Sequence, residues 1–328
     1  MLRLFRAARR LRQLGVLGMN RRNAAFILDH NSRAKFPLVD DKLRMRDLCL
    51  QIGVATPDVH AAISCPWMLR RLPELLRGLS DFVIKPNRGS GGRGILVIVG
   101  QQGTDFVRHS GETISLDELR QHVSDVLSGM YSLGGQPDQA LVQQRVRMHG
   151  AFKPISFKGI PDIRVVLYRS EPAMAMLRLP TRASGGRANL HQGGIGAGID
   201  LETGSTNNAA LGNRFTYYHP DTDMPLVGFQ VPFWPRVLEM SRQAAAAVGM
   251  GYLGVDIVID AAAGPMLLEA NARPGLAIQL ANAQGLLPRL AAIDRGEKLP
   301  PPLSMPDEER PLRLRKPLSP VVPRRKSA

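Results

Sequence analysis

Apolar and polar positions along the chain follow two periods. Residues 81–86 and 95–99 are short, apolar and rich in β-branched side chains, and they predict strands. ALVQQRV (140–146) predicts another strand. IRVVLYR (163–169) and AMAMLRL (173–179) predict a strand pair across a Glu171–Pro172 turn. GVDIVID and PMLLEAN, separated by Ala261–Gly264, predict a hairpin. Helical spacing appears at residues 40–51, stopping near Gly53, and again at 67–79. SLDELRQHVSDVLSGMYSLGG opens with a capping box, Ser115 and Glu118, and ends at Gly134–Gly135. WPRVLEMSRQAAAAVG (234–249) predicts a helix with Pro235 near its start, where proline is tolerated. Residues 183–205, rich in glycine and polar residues, predict a long irregular segment. No internal repeat is visible.

The ends differ from the middle. Residues 2–14 place Leu2, Phe5, Leu11 and Leu14 among five arginines, a pattern open to two readings, an interfacial helix or a basic arm. After Leu303 come five prolines, charge and no periodicity, which predicts a disordered tail. The formal net charge of +15 sits almost wholly there. Residues 1–22 carry seven arginines and no acid, and residues 310–328 carry seven Lys or Arg and no acid. The middle is nearly neutral, so a nucleic-acid partner is disfavoured. Docking of the arms to an anionic surface or partner is the alternative to a merely solvating role. At 44% hydrophobic, 328 residues bury a sizeable core. Two cysteines, Cys49 and Cys65, make neither a disulfide framework nor a four-ligand zinc site. The N-terminus lacks a signal-peptide apolar region, and no apolar run reaches membrane-spanning length. The expected location is the cytoplasm.

The candidate chemistry begins at GSGGRG (89–94). It matches GxGxxG, but a strand follows where a dinucleotide-binding turn needs a helix, and it lacks the Lys-Ser/Thr ending of a phosphate-binding P-loop. Strand, glycine loop and strand make a flap whose backbone N–H groups can close over an anion, with Lys85 in the strand leading in. The rival reading is a long hairpin turn. A second set lies on the later hairpin. Glu269 and Asn271, two apart, share a strand face, and Asp256 can lie beside them. Two carboxylates and an amide oxygen suit Mg²⁺; the rival reading is acids capping strand ends. His191 reads as a loop hydrogen-bonder. Trp67, Trp234 and Tyr131 read as packing residues, and Met174 and Met176 as core.

Seven segments in order resemble the ATP-grasp ligases, in particular the RimK-type α-L-glutamate ligases: VDDKL (39–43), FVIKPNRGSGGRGI, LVQQRV, DIRVV (162–166), GGRANLHQGG (185–194), GYLGVDIV (251–258) and LLEANARPGL (267–276). The likeness covers residues 38–292. It implies an α/β (α+β) ATP-grasp fold, with two α+β subdomains gripping ATP between them and a shortened N-terminal region. The expected layout is a basic arm (1–35), a short helical region (36–78), a small subdomain with the flap (79–150), a large subdomain with the metal site (151–302) and the basic tail (303–328).

The resemblance also implies roles. Lys42, Lys85, Gly89, Ser90, Gly91, Gly92 and Gly94 contact ATP phosphates. Gln144 and Arg145 lie in the hinge strand beside adenine, and Asp162 belongs to the nucleotide site. Arg187 and Asn189 reach the phosphates and, with Arg273, act in catalysis. Asp256, Glu269 and Asn271 hold Mg²⁺, with Mn²⁺ as an alternative ion. Gly275, and Arg164 and Arg178 by their charge, are candidates for holding the substrate carboxylate. The implied reaction joins an amino acid such as glutamate to a peptide or protein amine through an acyl phosphate. The alternative is a non-catalytic ATP-binding module docked through its basic arms.

Overall fold

The computed structural model describes residues 2–89 and 91–302. Ser90 and the tail after Pro302 lie outside the described residues. The strands are β1 (Val59–Ile63), β2 (Phe82–Pro86), β3 (Leu96–Gln102), β4 (Asp105–Arg108), β5 (Thr113–Ile114), β6 (Ala140–Gln143), β7 (Asp162–Tyr168), β8 (Glu171–Leu179), β9 (Ile195–Ile199), β10 (Thr206–Leu211), β11 (Arg214–Phe215), β12 (Tyr252–Asp260) and β13 (Gly264–Asn271). They build two antiparallel sheets, ordered β1-β6-β2-β3-β4-β5 and β11-β10-β9-β8-β7-β12-β13.

Each sheet has its own core, because alternate residues of a strand point to opposite faces. In the smaller sheet Phe82, Ile84, Ile98 and Val142 pack against the helix Leu116–Leu127, which contributes Leu119, Val123 and Val126. The opposite face carries Lys85, paired with Leu141, and Val83, paired with Gln143. In the larger sheet Ile163, Val165, Leu177, Val255 and Ile257 pack against the helix Trp234–Val248. Its other face is divided. Val166, Tyr168, Met174, Met176 and Tyr252 are covered by Leu17, Phe26, Ile278 and Leu290. Further along the same face stand Asp162, Arg164, Arg178, Asp256 and Glu269, which the register brings side by side.

Several sequence expectations shift. The capping box is made, with Ser115 Oγ accepting from Glu118 N and the Glu118 carboxylate accepting from Ser115 N. The helix it opens ends at Leu127, not at Gly134, because Gly129 takes φ 86° and packs on the Gln136 backbone. The β7–β8 turn falls at Arg169–Ser170, both at positive φ, as a two-residue hairpin requires; Pro172 pairs with Leu167 inside β8. Residues 67–79 form a 3₁₀ stretch and one short helix instead of a continuous helix. The expected irregular segment 183–205 contains β9, whose glycines hid it. A Cβ on Gly196 would lie 2.7 Å from Leu190 Cδ2, and one on Gly198 2.7 Å from the Ala281 carbonyl, so close packing selects glycine there. Trp67, expected to pack, is 61% exposed, whereas Trp234 is buried. The 2–14 pattern appears as the helix Leu2–Gln13.

Candidate functional site

The two bare sheet faces meet at a cleft. Its floor on the smaller sheet is Lys85, 7% exposed, whose ammonium has no hydrogen-bond or ion-pair partner among the described residues. Burial and the nearby Lys42 charge push its pKa down to about 7, against the pull of Glu269. Lys42 begins the helix Lys42–Gln51, whose N-cap Asp41 accepts from Arg44 N. The Lys42 ammonium donates to the carbonyls of Asn87 (3.1 Å) and Gly89 (2.8 Å) and lies 3.9 Å from Glu269 Oε2. Thus two lysines and one carboxylate converge at the root of the glycine loop.

The loop itself needs its glycines. Gly91, Gly92 and Gly94 have φ of 65°, 73° and 71°, where a side chain is strained. A Cβ on Gly94 would also lie 2.5 Å from Tyr131. The loop leans on the segment after β8. Gln192 Nε2 donates to the Gly91 carbonyl at 3.0 Å, and a Cβ on Gly92 would lie 4.0 Å from Arg187 Cδ. The flap and the Arg187–Asn189 segment are therefore brought together. Asn189 Oδ1 meanwhile accepts from His191 N, and exposed His191 lies on this short turn.

The larger sheet supplies a charge cluster. Asp256 is 1% exposed. It accepts Arg164 Nε at 2.7 Å and Nη2 at 2.5 Å, Arg178 Nη2 at 2.7 Å, and Asn271 Nδ2 at 3.3 Å. Arg178 Nε also donates to Asp162. Burial raises the Asp256 pKa, but the two arginines outweigh it and hold Asp256 well below the usual carboxylate range. Asp162 goes the other way, pushed up to about 6 by burial, with Asp256 adding to the rise and Arg178 opposing it. Arg164 and Arg178, expected as carboxylate-binding forks, are therefore committed to internal acids. A buried acid is tolerable only with such partners. Arg273 is exposed and stacks on Phe36, 4.4 Å from guanidinium to ring centroid. Gly275 follows β13, and a Cβ there would meet open space.

Among the described residues no group of three or more His, Cys, Asp or Glu side chains could hold a metal. The Mg²⁺ candidates are two acids and an amide. Glu269 and Asn271 stand at the cleft side of β13, and Asn271 Nδ2 lies 3.5 Å from Glu269 Oε1. Rotation of that amide would present its oxygen beside Glu269, and Asp256 Oδ1 carries one donor only. This all-oxygen donor set fits a hard divalent ion.

Residues not singled out from sequence complete the cleft. Met45, Arg46, Thr56, Leu141 and Leu268 join Lys42 and Gln143 around a narrow slot between the sheets, with room for about 10 Å³. Thr56 Oγ1 and Arg46 Nε are buried without hydrogen-bond partners. The slot thus combines apolar walls with two unpartnered polar atoms. At its hinge end Gln144 N donates to Asp58 O at 2.7 Å, so this N–H is already committed, while the Arg145 side chain turns away to Asp81. Both cysteines are free thiols; Cys49 is buried and its pKa is pushed up to about 12 by burial.

A family model described as sugar-transfer associated ATP-grasp matches residues 21–295. No curated protein matches the chain. Solved structures resemble it at low identity. The ATP-grasp ligase PsnB complexed with minimal precursor is 14% identical, with 81% of this chain and 62% of that chain covered and a TM-score of 0.43. D-alanine–D-alanine ligase from Bacillus anthracis complexed with ATP is 15% identical, with 80% and 63% covered and a TM-score of 0.43. A biotin carboxylase complex from Campylobacter jejuni is 13% identical, with 81% and 48% covered and a TM-score of 0.45. The chain thus spans less than two thirds of the length of these proteins. The family match over most of the chain, laid on two antiparallel sheets that face each other across a lysine- and glycine-lined cleft, identifies the fold as ATP-grasp, and the chain belongs to the sugar-transfer associated ATP-grasp family.

Proposed function

We propose that the protein is an ATP- and Mg²⁺-dependent carboxylate–amine ligase. The observation that carries this reading is Lys85, a buried amine with no ion-pair partner within 4.0 Å among the described residues, beside Lys42 and Glu269 beneath a glycine flap. Its charged form is costly to bury unless a ligand supplies the partner, and a polyphosphate does so.

In this reading the slot between the sheets receives adenine, Lys85 and Lys42 hold the phosphates, and the N–H groups of the flap close over them. Asp256, Glu269 and Asn271 would hold Mg²⁺, which when bound neutralises charge on the polyphosphate. The substrate carboxylate oxygen attacks the γ-phosphorus as the bond to the β,γ-bridging oxygen breaks, giving an acyl phosphate and ADP. The amine nitrogen then attacks the acyl carbon, the C–O bond breaks, phosphate leaves, and the nitrogen loses a proton. The chain's part is positioning and charge neutralisation, so no protein nucleophile is required and neither cysteine enters. In this reading Arg187 and Asn189, beside the flap, meet the transferring phosphoryl group, and Arg273 and Gly275 serve the substrate carboxylate. An amino acid such as glutamate as the carboxylate donor, and a peptide or protein amine as the acceptor, follow from the resemblance to the RimK-type ligases. The name of the family matched adds an amine on a sugar-bearing precursor to the acceptors worth offering.

The test is ADP and phosphate release from ATP with Mg²⁺, with amino acids offered singly, in pairs, and with peptide and amino-sugar acceptors, beside Glu269→Ala. Release that needs one carboxylate and vanishes in the variant supports the reading. Turnover untouched by Glu269→Ala would sink the site assignment. A second reading, a binding module without turnover, draws on Asp256 being already surrounded by Arg164, Arg178 and Asn271. Nucleotide binding with no release across the whole panel would favour it.

A further inference from the structure

A second cavity, of about 250 Å³, opens on the same face of the larger sheet, between β8, β9, the helix Leu287–Arg295 and the segment Lys298–Pro302. Liquid water takes about 30 Å³ per molecule, so several waters or a small solute fit. Met174, the β8 residue at its floor, lies four residues from Arg178, roughly 13 Å along the strand from the charge cluster. The cavity is therefore separate from the cleft.

One wall is Arg289, 6% exposed. Its Nε donates to the Ala173 carbonyl, and Nη1 donates to the Pro300 carbonyl at 2.8 Å and to Gln284 Oε1 at 3.4 Å. Its partners are all neutral. Nη2 donates to none of the described residues, and no carboxylate among them lies within 4.0 Å of the guanidinium. Carbonyls and an amide orient the fork without cancelling its charge, an expensive arrangement for a group so deeply buried. Burial pushes the Arg289 pKa down, and the charge of Asp200 opposes this from across the cavity.

Asp200 is the facing wall. One of its oxygens accepts Glu202 N, Thr203 N and the Thr203 hydroxyl, which fixes the carboxylate. Its other oxygen accepts nothing from the described residues. Glu202, the other acid at the rim, is already met by Lys298 at 3.6 Å. A fixed cation and a fixed anion thus face one another, too far apart to pair. Apolar Met174, Ile199, Leu201 and Leu299 lie between and around them.

We propose that this cavity binds a free α-amino acid, its carboxylate on Arg289 Nη2 and its ammonium on Asp200, with the side chain against the apolar wall. A zwitterion matches both walls at once, and the open Nη2 of a charged guanidinium suits a carboxylate oxygen through a charge-assisted hydrogen bond. A simple anion leaves Asp200 unmet, and a simple amine leaves Arg289 unmet.

The experiment is calorimetric titration of the full chain, without nucleotide, with each of the twenty amino acids. Any binder is then repeated as its α-amide, which lacks the carboxylate, and as its N-acetyl form, which lacks the ammonium. At least one amino acid should bind, and both blocked forms should bind at least about 10-fold more weakly, the loss of one charge-assisted contact. Arg289→Gln and Asp200→Asn should each weaken binding by a similar factor while nucleotide affinity is unchanged. If Arg289→Gln fails to fold, Asp200→Asn on the opposite wall decides alone. The proposal is overturned if no amino acid binds without nucleotide, if the blocked forms bind equally well, or if the folded variants keep full affinity. The nucleotide measurement reports on the cleft separately, so loss of one site does not read as loss of the other.

Discussion

Replacing Lys85 by methionine should stabilise the nucleotide-free protein while removing its grip on ATP. Lys85 is 7% exposed and its pKa is about 7, down from 10.5. The sign follows from proton binding. Between those values the unfolded chain holds the proton and the folded chain does not, so wild-type stability rises as pH goes from about 7 to about 10.5. Below pH 7 both states are protonated and the folded state carries the full penalty. The fall from 10.5 to about 7 corresponds to roughly 5 kcal/mol as a ceiling. Relaxation of the site lowers the effective gain to about 1–3 kcal/mol for an unbranched apolar replacement of similar length. Urea unfolding of wild type and Lys85→Met at pH 6, 8 and 9.5 measures it. The variant's advantage should be largest at pH 6 and should shrink towards pH 9.5. A polyphosphate should also restore the Lys85 proton, so wild type should take up about one proton per nucleotide at pH 8.5 and almost none at pH 5.5. Titration calorimetry in buffers of different ionisation enthalpy reads that number. If Lys85→Met is less stable than wild type at every pH, or binds nucleotide as well, the reasoning is refuted.

Other expectations follow from the same face. Asp256→Ala leaves Arg164 and Arg178 buried without their shared acid and should cost about 3–5 kcal/mol in chemical unfolding, whereas Glu269→Ala, at a side chain 32% exposed, should cost less than about 1 kcal/mol and still abolish turnover. Equal destabilisation by the two would contradict the distinction. Asp162 ionises near pH 6 in the fold instead of 3.8, so the unfolded chain loses its proton first and stability falls as pH rises across that window. Asp162→Asn should flatten this part of the stability profile, and an unchanged slope would assign it to another group. Gly94→Ala forces a side chain into φ 71° and onto Tyr131, so it should raise KM for ATP at least several-fold in steady-state kinetics; an unaffected KM would show that the flap does not need this shape.

The candidate residues that the fold gathers at the cleft were legible because they sit at short, regular spacings. Glu269 and Asn271 are two apart on one strand, Lys85 precedes its own glycine loop, and the capping box announces its helix within four residues. What escaped was set by partners distant in sequence. β9 was read as loop because Gly196 and Gly198 carry no apolar signal, yet Leu190 and Ala281 demand glycine there. Thr56 and Arg46 look like ordinary polar residues until the slot leaves Thr56 Oγ1 and Arg46 Nε buried without hydrogen-bond partners. Arg164 and Arg178 carried the right charge, but register, not composition, turned them onto Asp256 and Asp162 instead of outward.

Local spacing therefore determined which side chains share a strand face, where the flap lies, and that hard oxygen ligands and lysines occur in order along the chain. Only the tertiary structure decided their ionisation and their company. The pairing of β12 with β7, and of β7 with β8, brings Arg164 and Arg178 to Asp256 and holds it ionised, and the approach of the two sheets buries Lys85. The same packing leaves Arg289 without a counter-ion across a cavity from Asp200. The physical reason is that periodicity reports a residue's own face, whereas desolvation and ion pairing depend on what the rest of the chain places against that face.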